Sequence, residues 1–473
     1  MNTAIVVGAG PNGLAAAITL ARHGVEVTVL EATDTIGGGA RSSERILPGL
    51  RHDDCAAVHP IGFASPFFRG LDLAAHGLEW AWPDIDLAHP LDGGRAGVMM
   101  SSLHETGRMM GVDGGRWRTL FGPLSARFDE LAQDVLRPML HRPRHPALLA
   151  MFGSAALLPA TVLGRIWRTD EAAAVFAGNA AHGWHPLTRP ATSAFAVMFA
   201  AISHRYGWPV AKGGSSRLAE ALAGTLEALG GCIETGHRVR SLAELPATDL
   251  VMLDLEPGAV VELAGDALPA PVRRSYRRFR RAPAAFRVDF AVEGGIPWRD
   301  EFSGRAGTVH VCGSAAEVAV AEHEIHAGRM PERPFVLVGQ QYLADPQRSV
   351  GDVHPVYTYA HVPHGYTGDA TDAIVAQLER FAPGTRERIL GYATRSPHEL
   401  QEHNSNLVGG DIIGGANTPL QVVMRPRISL DPYFTGIPGV YVCSASTPPG
   451  AGVHGMCGHN AALSALRSAR GVS

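Results

Sequence analysis

The chain is nearly without lysine: of its 41 Lys+Arg residues only Lys212 is a lysine. An enzyme that builds a Schiff base on lysine would therefore have Lys212 alone to use. Cysteine is scarce too. Cys55, Cys232, Cys312, Cys443 and Cys457 are dispersed, odd in number and include no C-x-x-C pair. Such usage speaks against a disulfide framework and against a zinc site of ordinary spacing, and it fits a reducing cytosol. There is no surplus of positive charge: 41 Lys+Arg stand against 45 Asp+Glu, for a formal net charge of -4. That leaves no basic field for gripping a phosphate backbone, so nucleic acid is not an expected partner. No basic segment precedes the first apolar residues, MNTAIVVGAG, so a cleaved secretory leader is not expected and the cytoplasm is the expected location. An unbroken membrane-spanning run is also missing. The most apolar long stretch, Ala147 to Trp167, is broken by Pro159 and carries Ser154 and Thr161. It reads as a buried or interfacial helix pair, compatible with peripheral membrane contact. Internal repeats and low-complexity tracts are absent. What the chain does have is 55 Gly, 33 Pro and 46% hydrophobic residues over 473 positions. These imply many tight turns and more core than one domain usually holds.

The first chemical signal lies at the start. Thr3 to Val7 is an apolar run of the kind buried on both faces of a sheet. Gly8-Ala9-Gly10-Pro11-Asn12-Gly13 follows directly, then a helical pattern from about Leu14 to Arg22 closed by Gly24, then a strand from Val25 to Leu30 ending on Glu31. In this order each residue has a task. Gly8 makes the tight turn, Gly10 lets a pyrophosphate approach the backbone, and Gly13 lets helix and strand touch. The helix N-terminus attracts the phosphates, and Glu31 accepts the ribose hydroxyls. Pro11 and Asn12 belong to the same loop. The pattern predicts a dinucleotide site in a doubly wound α/β domain and does not separate FAD from NAD.

The next residues point to a family. Glu31-Ala32-Thr33-Asp34-Thr35-Ile36-Gly37-Gly38-Gly39-Ala40-Arg41 resembles the E-A-x-D-x-x-G-G-R stretch of FAD-dependent amine oxidases and phytoene desaturases. In those families the glycine pair passes the flavin phosphates and the arginine neutralises them. The resemblance thus adds Ala32, Gly38, Gly39 and Arg41 to the cofactor site. This chain departs from the pattern with Gly39 in the family's arginine position, Arg41 two places later, and Thr33 where an arginine is common. Lys212 to Ser216 resembles the family's P-x-G-G segment before a helix. Gly231 to Val239 reads as a strand, and by the resemblance the Val239 backbone lies against the adenine. Near the C-terminus a strand, Gly439 to Cys443, leads into Ser444-Ala-Ser-Thr-Pro-Pro-Gly450-Ala-Gly452-Val453-His454-Gly455 and a final helix to about Arg470. This closely resembles the C-terminal signature of phytoene desaturase-like flavoproteins, whose turn faces the flavin ring, and it adds Ser444, Gly452, Val453 and His454. Gly450 to Gly455 also spells G-x-G-x-x-G, but no strand or acid can follow before Ser473, so a second nucleotide site is not expected. Ser444 stands where many flavoproteins carry an acid.

The chain is therefore similar to the phytoene dehydrogenase-like branch of the FAD-dependent oxidoreductases. The resemblance implies an α/β fold: a Rossmann-type, glutathione reductase-like FAD-binding domain with an inserted α+β substrate domain. On this reading 1–70, 208–290 and 410–473 form the discontinuous FAD domain, and 71–207 and 291–409 form the substrate or cap domain. Residues 71–207 are expected to be mainly helical, with Ala191 to Ile202 as one helix. The second insertion is expected to hold strands at Phe335 to Gly339 and Val356 to Ala360 and a helix over Ala370 to Phe381. The arginine run from Val272 to Arg281 is expected to be a solvated helix face.

Catalytic candidates are fewer. His59, within Asp53 to Pro60, lies in the segment that lines the flavin's substrate side in related proteins, and either acid–base work or a structural bond to a turn suits it. His454 stands in the flavin-facing turn. Cys457 and His459 follow on the helix, where a covalent flavin bond is an open alternative. Lys212 is expected at the surface, and Tyr357 and Tyr359 alternate on a strand, facing either core or pocket. No metal site is expected. Because the isoalloxazine accepts the hydride, no side chain need be a nucleophile. Two functions stay open: an FAD-dependent dehydrogenase, desaturase or oxidase acting on a small apolar or amphipathic substrate, and a binding or carrier protein with structural FAD and no turnover. A NAD-only dehydrogenase would leave the glycine trio and the C-terminal turn unexplained.

Overall fold

The structure, a computed structural model, describes residues 2–469 and 471. It is built on two large sheets, with two short two-stranded pairs beside them. In the first, β1 (Thr3–Val7) runs parallel to β2 (Glu26–Leu30) on one side and to the strand Leu250–Leu253 on the other; Val440–Val442 and Cys232–Glu234 complete the edges. Ala4 to Val7, Leu250 to Leu253 and Val440 to Val442 are buried on both faces, which explains their continuous apolar sequence. Helix α1 (Pro11–Ala21) follows β1 after the glycine loop, with Pro11 in its first turn. The last helix, Met456–Ala469, packs on α1 so closely that a Cβ on Gly458 would lie 1.8 Å from the Asn12 carbonyl oxygen. This crossing brings the two ends of the chain together around one site.

The second sheet has seven strands in the order Ile389–Arg395, Ala284–Glu293, Val353–Val362, Val336–Gly339, Ala306–Val311, Ile85–Leu91, Arg95–Met99. All neighbours are antiparallel except Ala306–Val311 with Ile85–Leu91. Helix Asp170–Ala181 lies on its Ile85–Met99 end, with helix Ser193–Tyr206 beside it. One hydrophobic core runs from the first sheet through these helices, and a separate core fills the far face of the second sheet.

Four expectations change in detail. The segment 71–207, expected to be mainly helical, contains the hairpin Ile85–Leu91 and Arg95–Met99; full burial of the first strand hides the alternation that marks a half-buried one. Strand Ala284–Glu293 belongs wholly to the second sheet and crosses the boundary placed at 290. The strand expected over Gly231 to Val239 stops at Glu234, because Gly236 turns the backbone to φ +70°. The first helix begins at Pro11 instead of Leu14. The other elements fall as the sequence pattern predicts: the helices Ser193–Tyr206 and Thr371–Phe381, and the strands Val336–Gly339 and Val353–Val362. Helix Ala270–Arg277 buries only Val272 and Tyr276 and turns its arginines outward. The apolar stretch forms helices Pro146–Ala156 and Ala160–Leu163, the latter extended by a 3-10 turn to Ile166, bent by 85° about the break at Pro159. Its inner face buries Leu148 and Phe152, while Met151, Leu157 and Val162 are exposed. Among the described residues no single helix is long and apolar enough to cross a membrane.

Candidate functional site

The C-terminal ends of the parallel strands open onto a cavity of about 470 Å³, where a doubly wound sheet binds its ligands. At this end the site is made of backbone. Gly13 packs α1 against the loop: a Cβ there would stand 2.0 Å from the Gly8 carbonyl oxygen. Gly10 and Gly38 face each other, and a Cβ on Gly38 would come within 3.2 Å of the Gly10 Cα. Two carboxylates hold this loop. Glu31 accepts the Ala9 N–H at 2.9 Å on one oxygen and the Thr33 N–H and hydroxyl at 3.0 and 2.8 Å on the other. Asp254, just past the strand Leu250–Leu253, accepts the Gly13 N–H at 2.9 Å. Burial pushes the Asp254 carboxyl up to about 7, helped by the charge of Glu31 and opposed by the Gly13 hydrogen bond.

Of the residues predicted for the cofactor, Gly8, Gly10, Pro11, Asn12, Glu31, Ala32, Gly38, Gly39, Arg41, Val239, Ser444, Gly452, Val453 and His454 line this one cavity. Gly13 stands behind it as the packing glycine. Arg41 reaches the cavity, but its guanidinium donates to the Thr33 hydroxyl and to the carbonyls of Thr35, Ile36 and His403. It ties down the loop from residue 31 to 41 as well as facing the cavity. Ser444 donates its hydroxyl proton to the Leu255 carbonyl at 2.7 Å. Val239 is carried in by a loop alongside Glu31, where His237 N–H bonds the Glu31 carbonyl at 2.8 Å.

His59 and His454 are both buried at the cavity wall, and burial pushes both down to about 4, so both are neutral at pH 7. Ser215 donates its hydroxyl proton to the Ala56 carbonyl, so His59 must donate Nε2–H to the Ser215 Oγ at 2.7 Å. That leaves its Nδ1 an unprotonated acceptor without a partner. His454 is the reverse. Its Nδ1 accepts the Met456 N–H at 3.0 Å, so the proton sits on Nε2, which has no partner. A Cβ on Gly452 would meet the His454 imidazole at 3.0 Å and Ile61 at 3.5 Å. The glycine thus makes room for the histidine at the cavity wall.

The open alternatives on the last helix are decided by geometry. Cys457 points away from the cavity, sharing its thiol between the Thr447 and Gly450 carbonyls, and burial pushes it up to about 12. His459 bonds Thr19. Neither lines the cavity, and neither is placed for a covalent cofactor bond. Lys212 is at the surface in an ion pair with Glu79 at 2.9 Å. Tyr357 and Tyr359 both line the cavity. No cluster of three or more metal-ligating side chains occurs among the described residues.

The far end of the cavity was not legible as a site. It is walled by His182, Trp184, Phe199, Trp208 and Tyr359, with Thr308 and Asn417 between them. Helix Asp170–Ala181 ends at His182, and Trp184 follows at φ +50°, a left-handed conformation that a bulky residue holds only under constraint. Here the constraint is stacking: the Trp184 indole lies 3.6 Å from the His361 ring and 5.9 Å from Tyr359, centroid to centroid. Asp254 was also missed. Its signal was an acid at the C-terminal end of a strand beside the glycine loop.

Asn12 Oδ1, His59 Nδ1 and His454 Nε2 are buried, unpartnered and at the cavity wall, and a Cβ on Gly10 would meet Asp254 at 2.8 Å. A glycine cradle and unmet polar atoms are what a bound dinucleotide requires, so the residues fit such a group. Comparison with known proteins agrees. Residues 6–69 match the family described as NAD(P)-binding Rossmann-like domain. Over 99% of this chain and 94% of the relative, the sequence is 24% identical to rat (Rattus norvegicus) pyridine nucleotide-disulfide oxidoreductase domain-containing protein 2. An oxidoreductase from Methanosarcina mazei superposes with a TM-score of 0.64 at 16% identity, covering 98% of this chain and all 100% of its own. Wild-type putrescine oxidase bound to putrescine superposes with a TM-score of 0.59 at 18% identity, covering 99% of both chains. At these identities the likeness establishes the fold: an α/β protein with a Rossmann-type dinucleotide domain and an inserted α+β domain, as the sequence implies.

Proposed function

We propose that the protein is an FAD-dependent oxidoreductase that takes a hydride from a small lipophilic substrate. One observation carries this reading: a single cavity runs from the glycine loop, past the turn Pro449 to His454, to an aromatic wall in the second domain. Bound FAD would supply a two-electron acceptor. The chain's part is to hold and exclude. The Gly8–Gly10 backbone and Gly38 make room for the pyrophosphate, Glu31 takes the ribose hydroxyls, and Val239 lies by the adenine. The turn with Gly450, Gly452 and Gly455 leads into the last helix, whose N-terminus favours negative charge. Neutral His59 and His454 offer an acceptor and a donor without adding charge, and the aromatic wall keeps water from the reacting C–H bond. The oxidoreductase and amine oxidase folds it resembles support redox work, and the aromatic wall supports an apolar substrate over a charged one.

The test is direct. The purified protein should be yellow and release FAD on denaturation, and an apolar substrate should bleach the flavin under anaerobic titration. A flavin that no substrate bleaches supports the carrier reading instead. Peripheral membrane contact belongs to the same proposal, through exposed Met151, Leu157 and Val162 on the bent helix pair. Co-sedimentation with phosphatidylcholine vesicles that survives Leu157→Glu unchanged would rule that face out.

A further inference from the structure

Among the described residues the far end of the cavity carries no carboxylate. The four acids that line the cavity are Glu31, Asp254, Glu256 and Glu402, all on the dinucleotide side. Glu31 and Asp254 hold the glycine loop, Glu256 is paired with Arg281, and Glu402 adjoins His403, whose carbonyl bonds Arg41. Behind the aromatic wall Glu322 is fully buried and bonded to His361 Nδ1 at 2.6 Å, outside the lining. An ammonium group entering the far end would lose its hydration and meet no counter-charge, which is costly.

What this end does offer is His182. It is half-buried, lines the cavity, and its Nε2 lies 2.9 Å from Nε2 of the fully buried His310. One of these two nitrogens must carry the proton. His310 Nδ1 has no partner and abuts Gly178, where a Cβ would be 2.6 Å away; His89 Nδ1 abuts the same spot at 2.8 Å. A buried N–H facing a Cα is left with its hydrogen bond unmade, whereas a lone pair facing a C–H is tolerated. His310 therefore keeps its proton on Nε2 and donates it to His182 Nε2, and His182 carries its own proton on Nδ1. Both rings are held neutral by burial. Thr308 Oγ1 and Trp208 Nε1, both buried and unpartnered at the same wall, are further unmet polar atoms.

We propose that His182, its tautomer fixed by His310, donates a hydrogen bond that orients a neutral, largely apolar substrate through an acceptor oxygen, a carbonyl or hydroxyl. The proposal rests on reading this end of the cavity as the substrate's. It makes His182 a residue that sets specificity, and it separates this chain from a protein that selects amines.

Calorimetric titration of the purified protein with three probes of similar shape tests it: acetophenone, ethylbenzene and benzylammonium at pH 7. Acetophenone should bind about 3- to 10-fold tighter than ethylbenzene, the worth of one neutral hydrogen bond, and benzylammonium should bind weakest. His182→Phe should erase the acetophenone advantage and leave ethylbenzene within about twofold, while His182→Gln, which keeps an N–H donor, should preserve it. His182→Leu provides the same arm with a smaller side chain. Benzylammonium binding tightest, an acetophenone preference that survives both His182→Phe and His182→Leu, or no binding by any probe overturns the proposal. Calorimetry does not depend on flavin. A colourless protein that keeps the preference overturns the flavin reading alone, and a yellow protein without it overturns this inference alone.

Discussion

At one end of the cavity much of the ligand-facing surface is backbone, from the glycine loop at Gly8 and Gly10, from Gly38 and Gly39 and from the turn Ser444 to His454, braced by the side chains of Glu31, Asp254 and Arg41. At the other end it is made of side chains from four separate segments around residues 182–208, 308–337, 357–359 and 413–417, and none of them is charged. The difference follows from what each end must hold. A diphosphate needs many N–H groups at close range, which glycines and a helix N-terminus supply without side chains. A neutral apolar molecule needs shape, which only packed side chains provide. The cofactor end is therefore intolerant of any added atom, whereas the substrate end tolerates change in proportion to how well its neighbours can repack.

The sharpest break in that comparison is Gly10→Val. A Cβ at Gly10 already meets Asp254 at 2.8 Å, and a branched side chain extends into the space between Gly10 and Gly38. The purified variant should be folded and colourless. Full flavin absorbance in a folded Gly10→Val protein would move the pyrophosphate elsewhere. Next in size is Glu31→Ala. It leaves the Ala9 and Thr33 N–H groups without their acceptor as well as the ribose, and should weaken FAD binding by about 1–3 kcal/mol. An unchanged dissociation constant would remove Glu31 from the ribose.

This asymmetry also decides how much could be read from the chain. The glycine loop was legible because its work is local: Gly8, Gly10, Gly13 and Glu31 fall within one strand–turn–helix–strand unit, so spacing alone reports their roles. The C-terminal turn was legible through resemblance, although the Gly452 Cβ position faces His454 more closely than any open space. The aromatic wall had no spacing to report. His182 and His310 are 128 positions apart and meet only because helix Asp170–Ala181 lies on the second sheet. The hairpin Ile85–Leu91 and Arg95–Met99 escaped for a related reason, since a strand buried on both faces loses its alternation. Asp254 stands 241 positions from the Gly13 N–H it accepts, so no local spacing reports it.

At the substrate end the matching change is Gly178→Ala, inside helix Asp170–Ala181. Its Cβ would press the Nδ1 atoms of His310 and His89 at 2.6 and 2.8 Å. Overpacking of this kind costs about 1–3 kcal/mol, and replacing a mid-helix glycine returns about 1. A net loss of up to about 2 kcal/mol in urea denaturation is expected, with flavin content unchanged. If flavin is lost in proportion to stability, the two ends are not separable and the comparison fails.

The most specific effect concerns Asp254. Its carboxyl sits against Gly13 N–H and within 2.8 Å of the Cβ position of Gly10, where a diphosphate would lie. Ionised, it would repel that anion; protonated, it would not. Burial raises its pKa to about 7, so near neutrality the free protein holds both forms. A bound diphosphate favours the protonated form, so binding takes up a proton wherever the free protein has lost it. By linkage FAD affinity should be level below pH 7 and fall above it, by at most tenfold per pH unit for one proton. In folding the loss comes earlier: between the ordinary carboxyl range and pH 7 the unfolded chain gives up this proton while the folded chain keeps it, so stability falls as pH rises toward 7 and levels off above it. The measurement is the FAD dissociation constant of apoprotein between pH 6 and 9, followed by flavin fluorescence quenching. Asp254→Asn, which keeps an acceptor for the Gly13 N–H and cannot ionise, should bind FAD with no slope over this range. A slope that persists in Asp254→Asn assigns the proton to another group, and a wild-type affinity that rises with pH shows that Asp254 does not face the phosphates.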